Sequence, residues 1–120
     1  MKIIPKVWGY ELVLVSTKLY SCKLMVIKGG FQCSIHYHKE KDETFMLLAG
    51  QVRLEVWNTA KKAQFMDQLE PYHIKPRTKH RFAGFGAWSV VLEVATQDKK
   101  YDSYRDTKSG RIKEWGGIKI

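Results

Sequence analysis

The chain has 120 residues, two cysteines and a formal net charge of +9, with 44% hydrophobic residues. That length suits one domain able to bury a core of its own without disulfide or metal staples. The longest apolar stretches, FMLLAG at 45–50 and VVLEVA at 90–95, are far shorter than the roughly 20 residues that cross a bilayer, so no membrane partner is expected.

The opening MKIIPKVWGYE lacks the apolar core and small-residue cleavage site of a secretory signal, so a cytoplasmic location is expected. Short β segments follow, with turn residues every eight to twelve positions, the pattern of a sandwich or barrel. The predicted strands are 7–15, 20–28, 31–38, 43–48, 51–57, 64–69, 72–75, 80–83 and 88–95. Gly29-Gly30, Gly50 and Gly84 mark bends, and NTAKK joins 57 to 64. Cys22 and Cys33 fall in strands and are expected as free thiols that pack as small hydrophobes. The tail from 98, polar at first and alternating in WGGIKI, is expected to form a short helix and then an edge strand. Together these elements make one antiparallel β domain.

The basic residues, Lys39, Arg53, Lys79 and Lys100 among them, are spread along the chain rather than collected in one block. Positive charge attracts nucleic acid, anionic membrane surfaces and small phosphorylated substrates alike. With no recognition helix or aromatic RNA-binding motif, nucleic acid ranks last among these partners.

HYHKEKDE at 36–43 is the stretch richest in chemistry. On a strand, His36 and His38 point the same way, with Gln32 and Ser34, about 7 Å apart along one face. Glu43 opens the next strand, and an antiparallel return carries its carboxylate back toward them. His80 lies beyond Pro76. Three imidazoles and one carboxylate suit Mn, Fe, Co, Ni or Zn better than Mg or Ca. An isolated H-x-H reads more readily as two exposed histidines in a charged hairpin.

The wider pattern is Gly30, five residues, His36, one residue, His38, four residues, Glu43, six residues, Gly50. It resembles the first signature motif of the cupin family at every fixed position. IKPRTKHRF at 74–82 resembles the second, I-P-P-G-T-x-H, with Lys75 and Arg77 where the family has proline and glycine. The resemblance implies a double-stranded β-helix, or jelly roll, holding one divalent transition metal on His36, His38, Glu43 and His80. PKVWGYE at 5–11, TKHRF, VLEVAT and DSYRDTKSGR at 102–111 resemble segments of the mannose-6-phosphate isomerase type II cupins. Those domains, when fused to a guanylyltransferase, commonly carry glutamine at the position of His36. This chain keeps all three histidines.

The implied chemistry is an aldose–ketose isomerisation of a small anionic sugar or sugar phosphate, with the metal polarising the substrate carbonyl. Glu93 is the candidate base, because a carboxylate among aliphatics on a central strand calls for a polar cavity or a basic partner, Arg53 or Lys28. His73 is a second candidate and belongs equally well at the barrel rim. Arg53, Arg77 and Arg105 are candidates for phosphate binding, while Lys79 and Arg81 should face away from the metal. Trp8, Trp57 and Trp88 are expected to fill the core or a subunit interface. A metal-dependent oxygenase and a non-catalytic sugar-binding module use the same ligand set. The resemblance also implies a homodimer, for which the apolar ends MKII and WGGIKI offer strands to exchange.

Overall fold

Ser21, Lys23, Met25 and Ile27 alternate with less buried neighbours along strand β3 (Ser21–Lys28), the period-two burial that places a strand with one face on a core. Residues 1–115 and 118–119 are described by the structure, a computed structural model. Among the described residues every regular element is a strand.

Two long strands, β6 (Glu43–Trp57) and β9 (Lys79–Ala95), pair antiparallel from Glu43↔Ala95 to Trp57↔Lys79. Both bend midway. The register of β6 slips around Ala49, and Gly50 has φ 92; β9 turns at Gly86, with φ 73. A Cβ on Gly50 would lie 2.3 Å from Ser89 Oγ. Glycine alone suits that combination of left-handed backbone and close approach.

Because of the bends, each long strand serves two sheets. The first sheet joins β1 (Lys2–Lys6), β2 (Gly9–Ser16), β3, the second half of β9, the first half of β6 and β8 (Pro71–Ile74). The second joins β7 (Lys61–Phe65) to the other halves of β6 and β9. It continues through the short β4 (Phe31–Gln32), β5 (His36–Tyr37), β10 (Tyr104–Arg105) and β11 (Gly110–Arg111). The buried core includes Trp8, Ile27, Phe45, Leu54, Phe82 and Val91, and Trp8 meets Phe82 edge-on at 4.9 Å. Backbone of β12 (Glu114–Trp115) pairs with β13 (Ile118–Lys119).

The architecture matches the expected all-β jelly roll, while several element boundaries differ. Segments 43–48 and 51–57 are one bent strand, as are 80–83 and 88–95, because Gly50 and Gly86 bend the chain without reversing it. Segment 31–38 pairs only at its ends, leaving 33–35 free of ladder pairing. Residues 2–6 form an unanticipated strand; Pro5 is tolerated there because β1 is an edge that pairs only with β2. The strand expected at 64–69 is β7 at 61–65, so the turn shortens to 58–60. No helix forms in the described part of the tail. Of the C-terminal residues expected to exchange strands, Gly116, Gly117 and Ile120 lie outside the described residues. Cys22 and Cys33 are free thiols.

Candidate metal centre

The pairing His36↔His80 sets two imidazoles side by side, with ring centroids 4.4 Å apart. His38 follows at 5.1 Å from His36 and 5.8 Å from His80. A nitrogen from each of the three rings lies within 4.8 Å of the other two. Every Nδ1 faces a main-chain carbonyl: Ser34 for His36 at 2.7 Å, Asp102 for His38 at 2.6 Å, and Thr78 for His80 at 2.9 Å. A carbonyl only accepts, so each Nδ1 carries the proton and each Nε2 keeps its lone pair free.

Glu43 enters this group from the start of β6. Its Oε2 lies 3.3 Å from His38 Nε2 and 3.5 Å from His80 Nε2. Glu43 Oε2 and His80 Nε2 are buried without a hydrogen-bond partner among the described residues. Leaving such atoms unpaired costs about 1–3 kcal/mol each, and a divalent cation between them removes that cost. The donors are neutral nitrogen and carboxylate oxygen, the set that zinc and its first-row neighbours take. These residues fit a metal ion.

Burial governs the local protonation. It pushes His36 well below the usual imidazole range, lowers His38, and brings His80 down to about 4. The same burial, with the nearby charge of Glu93, raises the Glu43 carboxyl well above its ordinary value. Without a metal, Glu43 is thus the protonated member, hydrogen-bonded to Glu93.

Glu93 does not pair with Arg53 or Lys28. Its cross-strand neighbour is Lys23, whose Nζ stands 3.7 Å away, and Lys41 Nζ comes to 3.0 Å. Glu11 holds Lys23 at 3.2 Å, and Asp98 bridges both lysines at 3.3 and 3.4 Å. Burial alone would raise the Glu93 carboxyl, but Lys41 and Lys23 outweigh it and hold Glu93 below the usual range.

His36, His38, Glu43, Glu93 and Arg105 line a cavity of about 690 Å³. Arg105 is paired with His36 across β10 and β5 and donates to Ser34 Oγ at 3.0 Å. The other two candidate arginines are elsewhere. Arg53 approaches Glu55 at 3.7 Å and lies over the Phe85 ring, turned away by the alternation that sends Val52 and Leu54 inward. Arg77 contributes backbone: its N–H donates to the His38 carbonyl at 2.5 Å, and its φ of 66 is the left-handed conformation that glycine would adopt there. Lys79 and Arg81 face away, bound to Asp106 and Glu55. His73 is exposed and pairs with Asp42.

Asp102 was not among the expected site residues. It is 2% exposed, and its carboxylate accepts the backbone N–H groups of Lys39 at 2.8 Å, Glu40 at 3.0 Å and Lys41 at 3.0 Å. Further along the tail, Thr107 Oγ1 and Ser109 Oγ accept from the Ile35 and Ser34 amides, and the Asp106 N–H donates to the Ile35 carbonyl. The irregular segment that carries His36 and His38 is therefore tied down by residues 102–109. In the sequence DSYRDTKSGR stands out by its resemblance and as a run of short polar side chains able to bond to backbone, neither of which points to this tie.

No family model and no curated protein matches this sequence. Among solved structures, the capsular polysaccharide assembling protein CapF of Staphylococcus aureus superposes with a TM-score of 0.78 at 17% identity, over 87% of this chain and 33% of that one. Oxalate decarboxylase of Bacillus subtilis gives 0.78 at 13% identity over 88% of this chain and 30% of its own. KdgF of a Halomonas species gives 0.69 at 12% identity over 77% and 81%. The fold is the cupin fold. The chain spans about a third of the CapF and oxalate decarboxylase chains. It brings a group of three histidines that could hold a metal ion to the inside of the barrel.

His38→Ala and His80→Ala should each lower bound metal by about tenfold or more, read by elemental analysis of the purified variants; full occupancy in both would remove the site. Since burial keeps the imidazoles neutral and raises the Glu43 carboxyl well above its ordinary value, metal uptake should release protons wherever Glu43 is still protonated. Calorimetry in buffers of different ionisation enthalpy measures this, and affinity should rise with pH while Glu43 titrates. Asp102→Ala should weaken metal binding by about 10- to 100-fold, with Asp102→Asn, which keeps an acceptor oxygen, closer to the parent. The d–d spectrum of the cobalt-loaded protein should shift in the alanine variant if the histidines lose their orientation.

Proposed function

We propose that this protein is a metal-dependent cupin acting on a small anionic sugar, as an aldose–ketose isomerase of the mannose-6-phosphate type. The observation that carries the reading is that His36, His38 and Glu43 share one cavity with Arg105, Lys99 and Lys100. A divalent transition metal on His36, His38, His80 and Glu43 would supply Lewis-acid polarisation of the substrate carbonyl. Arg105, which lines the cavity beside His36 and donates to Ser34 Oγ, would receive the phosphate or carboxylate of the same ligand, since its planar fork suits either group. The lysines at 99 and 100 add positive charge around it.

Glu93 is the group available to take a proton from one carbon and return it to the next. It is ionised at neutral pH, because Lys23 and Lys41 hold it so. Those lysines could also hydrogen-bond to substrate hydroxyls. On the other side, Trp8, Phe45 and Phe82 line the cavity with apolar surface that limits water.

One observation favours a second reading, a non-catalytic sugar-binding module. A carboxylate held below its usual pKa is a weak base, and the two lysines impose that on Glu93.

Mannose 6-phosphate in D2O, followed by NMR, separates the two readings. The isomerase should incorporate deuterium at C2 and form the ketose. Glu93→Gln should abolish the exchange, and Arg105→Ala should raise KM by about tenfold or more with kcat less affected. Binding of the sugar phosphate to the metal-loaded protein, with no exchange, would favour the binding module.

A further inference from the structure

The two lysines buried in the cavity wall, Lys23 and Lys41, share a carboxylate that comes from outside the sheet. Asp98 reaches in from segment 96–103, which lies between β9 and β10 and outside every ladder. Its Oδ2 accepts from Lys23 Nζ at 3.3 Å and its Oδ1 from Lys41 Nζ at 3.4 Å. Both bonds are long. Ammonium–carboxylate bonds usually run about 2.7–2.9 Å, so Asp98 bridges the pair from about half an ångström too far. Its segment is pinned on either side: Thr96 exchanges two bonds with Asp42, and Asp102 accepts the amides of Lys39, Glu40 and Lys41.

We propose that Lys23 and Lys41 form a subsite for the carboxylate of a sugar acid, a place that Asp98 fills until the ligand displaces it. Charge favours exchange over addition. The two ammoniums already face three carboxylates, those of Glu11, Glu93 and Asp98, and a fourth would lack a counter-charge away from bulk water. One of the three has to leave. The Asp98 side chain is 40% exposed, against 10% for Glu11 and 4% for Glu93, and the other two stand on the regular strands β2 and β9. Asp98 alone of the three can turn out into water without disturbing a sheet. Burial by itself would lower both ammoniums, but Glu93 and the other carboxylates outweigh it and raise them, so both carry charge to offer.

The same count selects the chemical group. A carboxylate brings one charge and two oxygens, as Asp98 does, whereas a phosphate monoester carries about −1.5 to −2 at pH 7 and would leave an excess beside Glu93. The rest of the ligand follows from what lies beyond the lysines. Lys41 Nζ is 3.0 Å from Glu93, Glu93 meets Glu43, and Glu43 Oε2 is 3.3 Å from His38 Nε2. Only two carboxyl groups separate the subsite from the histidines, and both accept hydrogen bonds, which suits a short chain of hydroxyl-bearing carbons. Arg105 is left for the ligand's other anionic group. This assignment rests on the cavity being a sugar site and not on the isomerase chemistry.

Calorimetric titration of the full chain, with and without zinc, using D-gluconate and D-glucose 6-phosphate as probes, tests the subsite. Asp98→Ala removes the internal competitor and should tighten gluconate binding by about tenfold or more, with a smaller gain for glucose 6-phosphate. Lys41→Met should weaken gluconate by about tenfold or more. Because that substitution is buried, circular dichroism checks its fold; Asp98→Ala, at an exposed position, carries the test by itself if the lysine variant does not fold. A crystal structure of the parent with gluconate should show its carboxylate between the two Nζ atoms and Asp98 turned outward. Gluconate affinity no higher in Asp98→Ala than in the parent would overturn the proposal, and so would an equal gain for glucose 6-phosphate. Deuterium exchange on mannose 6-phosphate without any effect of Asp98→Ala on gluconate would remove this subsite and leave the isomerase standing; the opposite pattern would keep the subsite and remove the isomerase.

Discussion

Three histidines are aimed at one point because each gives its Nδ1 proton to a main-chain carbonyl, those of Ser34, Asp102 and Thr78. Main chain moves less than side chains, so these bonds fix ring orientation and tautomer together. Their acceptors come from three different segments. The site therefore exists only when the loop before β5, the loop before β9 and the C-terminal strap are all in place. Burial completes the effect by favouring neutral imidazoles and raising the Glu43 carboxyl well above its ordinary value.

The charged interior has a cost and a use. Glu11, Lys23, Lys41 and Glu93 are nearly removed from water, and such pairs seldom stabilise a fold more than well-packed apolar groups would. Together they set alternating ammonium and carboxylate groups along the cavity wall. The sheet recovers its apolar burial elsewhere: one face packs Met25, Phe45 and Val91 into the core, and the other presents Leu12, Leu24 and Leu92 outward.

The grouping of three histidines was legible before the structure, since H-x-H and the later His80 stand at a spacing that can be read along the chain. The alternation argument for His36 and His38 reached the correct grouping by an incomplete route. These residues do not sit on one regular strand, because Ser34 and Ile35 bond to the tail while Cys33 bonds to Phe82 of β9. Arg77 shows a similar limit. Its side chain drew attention as a cation, whereas its backbone, at φ 66 and bonded to the His38 carbonyl, is what the site uses. Glu93 was recognised as a buried carboxylate in need of a partner, but that the partners are Lys23 and Lys41 depends on cross-strand register, which is invisible along the chain.

Residue identity and spacing were enough to specify strands, the turn glycines, the candidate histidines and the all-β class, because these follow from side-chain period and from chemistry within about ten neighbours. What joined Asp102 to His38, 64 positions apart, and separated Arg105 from Arg53 was the folding of two bent strands into two sheets. Long-range pairing of this kind is decided by the burial energy of the whole assembly, to which each residue contributes only a little.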